Sequence, residues 1–186
     1  MGWQRIRKGF AMGRIKPLKK EEVSLETKAI FEGIENNFGM IPNLFATIAY
    51  YPKALKPIID LYQAIAKEST IEPKSQELAN LEVSRINRCN YCLTHHAQMA
   101  KMFGLSDEQI NALKTGYSNK GFTDKEQIVI EYARQVTKDA EEVAEDLFKR
   151  LRLYFNDSQI VNLTLIIGLM NVFNRFNGAL GVELEK

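Results

Sequence analysis

The chain has 186 residues, 45% of them hydrophobic and 26% charged, with a formal net charge of +2. That length is enough for one domain that buries a core without disulfide or metal staples. The balance of 25 basic against 23 acidic residues excludes the charged footprint of a nucleic-acid binder, and no run of eighteen apolar residues exists to span a membrane.

Residues 1–16, MGWQRIRKGFAMGRIK, read as a basic extension, and residues 17–186 as a single helical domain. The extension lacks the apolar stretch of a secretory signal. A second Met-Gly at Met12 marks residues 1–11 as an upstream start or an added remnant, with a basic membrane-surface anchor as the alternative. EEVSLETKAIFEGIENNFG predicts a helix that opens on acidic residues and stops at Gly39. A short helix follows from Pro42 and Asn43 and closes before Pro52. The next segment sets Leu55, Ile58, Ile59, Tyr62 and Ile65 on one face, with Pro57 either kinking it or marking its first turn.

Pro73 opens the next predicted helix, RCN makes a turn, and YCLTHHAQMAKMFGL forms a helix that stops at Gly104. Ser106 with Gln109, and Thr123 with Glu126, are capping boxes for two more helices. EEVAEDLFKRLRLYF and the apolar DSQIVNLTLIIGLMNVFNRFNGALG complete the chain. Nowhere do β-branched residues alternate with polar ones for long enough to demand a strand, so the expected fold is all-α. Aligning Asn80 with Asn162 sets Leu81 on Leu163, Tyr91 on Phe173 and Ala97 on Ala179, which raises the option of two related helical halves.

Both cysteines and both histidines fall within Cys89–His96. Cys89 and Cys92 are i and i+3 at the start of a helix. Cys92 and His96 are i and i+4, hence on one face and about 5–6 Å apart at Cβ. A thiol reacts as its thiolate, which a helix N-terminus and a neighbouring imidazole both stabilise. The second thiol can then close a disulfide. The imidazole needs a carboxylate partner, and Glu77 and Glu82 on the preceding helix are both candidates. Two other readings stay open. One is a metal site, although four ligands within eight residues of one helix cannot surround a single zinc ion, so no metal or cofactor is expected. The other is core packing, with the cysteines as small hydrophobes and the histidines solvated. With no export signal, a CxxC pair fits a reducing cytoplasm.

The pattern Glu77, eleven residues, then Cys89-Asn-Tyr-Cys92-Leu-Thr-His-His96 resembles the AhpD-like (alkyl hydroperoxide reductase D-like) branch of the carboxymuconolactone decarboxylase superfamily. GMIPNLFATIAYYPKAL and FNRFNGALGV are similar to flanking segments of its peroxidase-related members, so the resemblance covers most of residues 38–182. It implies an AhpD-like helical bundle and an antioxidant thiol oxidoreductase that reduces hydroperoxides or passes electrons from a lipoyl-type donor to a peroxiredoxin. It implies catalytic residues Glu77, Cys89, Cys92 and His96, with Cys92 activated through His96, Glu77 the ultimate base and Cys89 the resolving thiol. It also implies a homo-oligomer, a trimer or hexamer. Where founding members carry a second histidine between the cysteines this chain has Tyr91, and His95 is the candidate substitute. The rival functions are a carboxymuconolactone decarboxylase-type lyase, whose chemistry has no use for a CxxC pair, and a non-catalytic helical assembly or metal-binding protein. The amides Asn171 and Asn174, with Arg175, are expected to form a buried polar network at a helix or subunit interface.

Overall fold

The structure, a computed structural model, describes residues 13–116 and 121–185, so most of the basic extension lies outside the described residues. Nine α-helices follow one another among them: α1 Leu25–Phe38, α2 Asn43–Ile48, α3 Pro52–Tyr62, α4 Pro73–Ile86, α5 Asn90–Met102, α6 Asp107–Thr115, α7 Asp124–Lys138, α8 Glu145–Leu151 and α9 Asp157–Leu180. No strand is present among the described residues, and the all-α expectation holds.

Local chemistry sets most of the helix ends. Both sequence-level capping boxes form, with Ser106 accepting from the Gln109 N–H and Thr123 from the Glu126 N–H. Pro73 sits in the first turn of α4, where its missing N–H costs nothing. Three boundaries differ from the sequence reading. The acidic run before α1 is a 3₁₀ turn at Lys20–Glu22, and the helix starts only where the Ser24 side chain accepts from the Thr27 N–H. α8 spans seven residues because Ala144 at its N-cap offers no side-chain acceptor. Pro57 lies inside α3, which passes into a π-turn at Gln63–Lys67. The amide of Asn162 donates to the Ile65 carbonyl of that turn at 3.0 Å.

The described residues form two compact units, one from those up to Ile58 together with those from Phe176 on, the other from those within Ile59–Arg175. In the first, Phe31, Ile34, Phe45 and Leu55 are buried, and the Asn43 N–H donates to Glu185 Oε1 at 2.7 Å. The second holds the cysteine cluster, and α4 is its centre. Every residue from Ser75 to Ser84 is buried, and α5, α6 and α7 all pack on this helix. Ion pairs fix how α4 and α7 run. Lys74 meets Glu126 at 2.6 Å near their starts, and Arg134 meets Glu82 at 2.6 Å eight residues further along each helix, so the two run in the same direction.

Leu81 on α4 is fully buried beside Leu78 and Val83. Leu81→Ala should therefore cost about 2–5 kcal/mol, transfer and cavity combined, measured as a lower urea midpoint at unchanged slope.

Candidate active site

The cysteine cluster is built by one turn. α4 ends at Asn87, Arg88 takes a left-handed conformation (φ 58°), and Cys89 caps α5. The Arg88 N–H reaches the Arg85 carbonyl at 3.1 Å and the Cys89 N–H reaches the Ser84 carbonyl at 2.9 Å. This pair of bonds is the Schellman closure, in which the left-handed position is usually glycine. The turn therefore lies at Asn87–Arg88 and overlaps the sequence-predicted RCN only at Arg88. Asn90 is already helical.

Cys89 and Cys92 are paired as a disulfide with their Cα atoms 5.4 Å apart, and both are buried. The Cys92 N–H points at the Cys89 sulfur at 3.3 Å, which puts that sulfur on the α5 N-terminal amides. There the helix dipole favours negative charge. One turn beyond Cys92, His96 Nδ1 lies 2.7 Å from Glu77 Oε2 across the α4–α5 hairpin. An ionised carboxylate only accepts, so Nδ1 carries the proton in this contact and the lone pair of the neutral ring sits on Nε2. Asn80 Nδ2 donates to the other Glu77 oxygen at 3.4 Å.

All four sequence-predicted residues thus lie on one helical hairpin: Glu77 joined to His96, and Cys89 to Cys92. Glu82, the other carboxylate candidate, is occupied elsewhere. It is fully buried and accepts from Arg85 Nε at 2.9 Å, Arg85 Nη2 at 2.8 Å and Arg134 Nε at 2.6 Å. Those charge-assisted bonds offset a desolvation cost of several kcal/mol, and they hold the Arg85 guanidinium pKa above its ordinary value. His95 packs its ring on Tyr91, centroids 4.6 Å apart. No group of three or more His, Cys, Asp or Glu side chains is arranged to hold a metal ion among the described residues.

Two contributors were not legible in the sequence as members of the site. Tyr62, the last residue of α3 before the π-turn, has its phenol pKa pushed up to about 12, first by burial and then by the negative charge of Glu77. Asn87, read only as the end of a helix, donates its side-chain amide to Asn171 Oδ1 at 2.8 Å and Asn174 Oδ1 at 3.0 Å. Asn171, Asn174 and Arg175 are thus joined in one network against the turn that presents Cys89, but only Asn174 is buried; Asn171 is half-buried and the Arg175 guanidinium, which is costly to desolvate, stays exposed.

Comparison with known proteins bears on this hairpin directly. Residues 52–135 match the model of the carboxymuconolactone decarboxylase family. An uncharacterized protein of Bacillus subtilis (strain 168), YdfG, is 28% identical over 138 residues, covering 72% of this chain and 93% of that one. Among solved structures, an uncharacterized peroxidase-related protein from Ralstonia eutropha JMP134, described as an alkylhydroperoxidase AhpD core, superposes with a TM-score of 0.85 at 18% identity. It covers 96% of this chain and 95% of its own. A protein of unknown function from Agrobacterium tumefaciens, a candidate antioxidant defence protein AhpD, is 28% identical over 75% of this chain and 95% of its own, with a TM-score of 0.69.

The proximity of Tyr62 to Glu77 has a spectroscopic consequence. The folded pKa is raised above the unfolded value near 10. Tyr62 therefore favours folding while both states hold the proton, below about pH 10, and that contribution is lost as pH rises through about 12. In ultraviolet difference titration against Tyr62→Phe, the Tyr62 step should fall near pH 12. Glu77→Gln should lower it only part of the way towards 10, because burial is the larger cause.

Proposed function

We propose that the chain, whose residues 52–135 match the carboxymuconolactone decarboxylase family model, is of that superfamily's AhpD-like branch and is a thiol-dependent antioxidant oxidoreductase working through Cys89 and Cys92. The observation that carries this reading is the joining, on one buried hairpin, of a helix-capping CxxC pair and a carboxylate–imidazole pair at 2.7 Å.

In the reduced enzyme the Cys92 thiol gives its proton to His96, one turn along the same face, and Glu77 holds the imidazole in the required tautomer and stabilises the imidazolium. The Cys92 thiolate attacks the terminal oxygen of a hydroperoxide. The O–O bond breaks, the alcohol leaves with a proton from His96, and Cys92 becomes a sulfenic acid. Cys89 attacks that sulfur, its thiol proton passes to the leaving hydroxyl, and water departs as the disulfide forms. A dithiol donor of the lipoyl type then returns two electrons and two protons by thiol–disulfide exchange. In the relay version the same disulfide is formed by exchange with an oxidised peroxiredoxin. The arrangement of Glu77 favours this over the decarboxylase-type chemistry, because an imidazole coupled to a carboxylate beside a CxxC pair is a thiol-activating device.

Assembly into a trimer or hexamer belongs to the same proposal. Val161, Leu165 and Val172 are exposed along α9, which suits a surface covered by another copy. Sedimentation analysis should return three or six times the 21.3 kDa chain mass, and a monomer at micromolar concentration would remove this part of the reading. No helix among the described residues is long and apolar enough to cross a membrane, and the near-neutral charge supports neither a membrane surface nor nucleic acid as a partner.

Thiol titration before and after one equivalent of hydroperoxide, with mass spectrometry of the 89–92 peptide, tests the proposal. Both thiols should disappear into a Cys89–Cys92 disulfide and return with dihydrolipoamide. Cys89→Ser and Cys92→Ser should each abolish the cycle with circular dichroism unchanged. Glu77→Gln and His96→Ala should slow it by about 10²–10⁴-fold. Two thiols inert to peroxide and to disulfides at neutral pH would remove the redox reading.

A further inference from the structure

Behind the turn that presents Cys89, side-chain amides form a circuit whose directions are mutually fixed. Asn87 uses both hydrogens of its Nδ2, one on Asn171 Oδ1 at 2.8 Å and one on Asn174 Oδ1 at 3.0 Å. Those oxygens must be the acceptors, because the nitrogens of the same amides are committed elsewhere. Asn171 Nδ2 donates to the Ile167 carbonyl at 2.9 Å and Asn174 Nδ2 to the Ser84 hydroxyl at 3.2 Å. Arg175 Nη1 adds a bond to Asn171 Oδ1 at 2.6 Å. Turning one amide over would set oxygen against oxygen, which costs a buried group its hydrogen bond.

Ser84 takes part twice. Its hydroxyl receives Asn174, and its carbonyl receives the Cys89 N–H at 2.9 Å. Between Asn87 and Cys89 stands Arg88, a non-glycine residue with φ 58°. For such a residue the left-handed conformation costs about 1–2 kcal/mol, so the turn holds only while its surroundings impose it. The amide circuit grips the residue immediately before Arg88 and, through the Ser84 hydroxyl, the residue whose carbonyl binds the one immediately after.

We propose that Asn87, Asn171 and Asn174 are positioning residues for the Cys89–Cys92 couple, holding the Cys89 backbone so that the two sulfurs stay within bonding reach after reduction and thereby setting the reduction potential. The inference rests on the thiol-redox reading of the same pair. Its physical basis is effective concentration. When the disulfide accepts two electrons and two protons from an external dithiol, the protein dithiol formed can re-close against that reagent in proportion to how well its sulfurs are held together. With the circuit cut, Arg88 relaxes out of the left-handed region, Cys89 moves with it, and re-closure becomes less favourable.

The test equilibrates the wild-type protein and its variants with buffers of reduced and oxidised dithiothreitol, and reads the Cys89–Cys92 disulfide by alkylation and mass spectrometry. Asn87→Ala should raise the equilibrium constant for reduction about tenfold, equivalent to a potential about 30 mV less negative. Asn174→Ala should do the same. In an Arg88→Gly background the Asn87→Ala effect should shrink to less than about threefold, because glycine holds the left-handed turn without help. Asn87 is only half-buried, so its variant carries the test alone if the buried Asn174 substitution unfolds the protein. Folded variants with shifts under about twofold, or an equal Asn87→Ala shift in both backgrounds, would overturn this inference and leave the redox reading standing. A wild-type pair that never exchanges with dithiothreitol would overturn both.

Discussion

The structure turns on the burial of two carboxylates in one helix. α4 is enclosed over ten consecutive residues, and Glu77 and Glu82 lie among them. An uncompensated charge there would cost several kcal/mol, so each carboxylate must be met by a partner held in place. Five residues apart, the two point in directions that differ by roughly 140° around the helix, and each finds a different neighbour. Glu82 meets guanidinium from its own helix and from α7, groups that stay charged at any working pH. Glu77 meets an imidazole on α5. Two chemically identical side chains thereby divide their roles. The carboxylate on permanent cations is locked, whereas the one on a titratable ring stands where protons can move.

The α4–α5 connection is the second constraint, and a comparison within the chain shows its character. α5 ends in the same bond pattern with which α4 ends: the Leu105 N–H returns to the Ala100 carbonyl and the Gly104 N–H to the Lys101 carbonyl. At that end the left-handed residue is Gly104. At the cysteine end it is Arg88, in a conformation that glycine would adopt without strain. A turn made of an unfavourable residue needs external support, and the amides of α9 supply it through Asn87 and Ser84. Strain, circuit and disulfide occupy six consecutive residues of the hairpin, from Ser84 to Cys89, with Cys92 one turn beyond.

What was legible in the sequence was what is decided locally. The capping boxes at Ser106 and Thr123 and the first-turn Pro73 involve residues within one turn of each other, and they formed as read. The start of α1 was misplaced because an acidic run suits the first turn of any helix, yet the N-cap requires a side-chain acceptor, and Ser24 is where one occurs. The π-turn after Tyr62 has no composition of its own and is recognisable only by the Asn162 amide that holds its carbonyl. In the site, the spacing of Cys89, Cys92 and His96 was legible because helical periodicity dictates it. Spacing alone gave Glu77 and Glu82 equal claims on the imidazole. Glu82 is taken by Arg85, three residues on, together with Arg134, fifty-two residues beyond it, and the second of these contacts is one that no local pattern encodes.

This separation of near and far has a chemical meaning. On the proposed reading the reactive groups all come from a stretch of twenty residues, Glu77 to His96, joined by one turn, so the means of activating a thiol would be carried by a single supersecondary unit. The groups that hold it come from α7 and α9: Arg134, which keeps Glu82 occupied, and Asn171 and Asn174, which keep the turn left-handed. A thiolate's reactivity depends on its proton acceptor, but the disulfide's stability depends on how firmly the backbone around it is held. The first property is therefore set within the hairpin and the second from outside it. On that proposal the same hairpin would become more or less reducing through changes in the supporting helices, with Glu77, Cys89, Cys92 and His96 left in place.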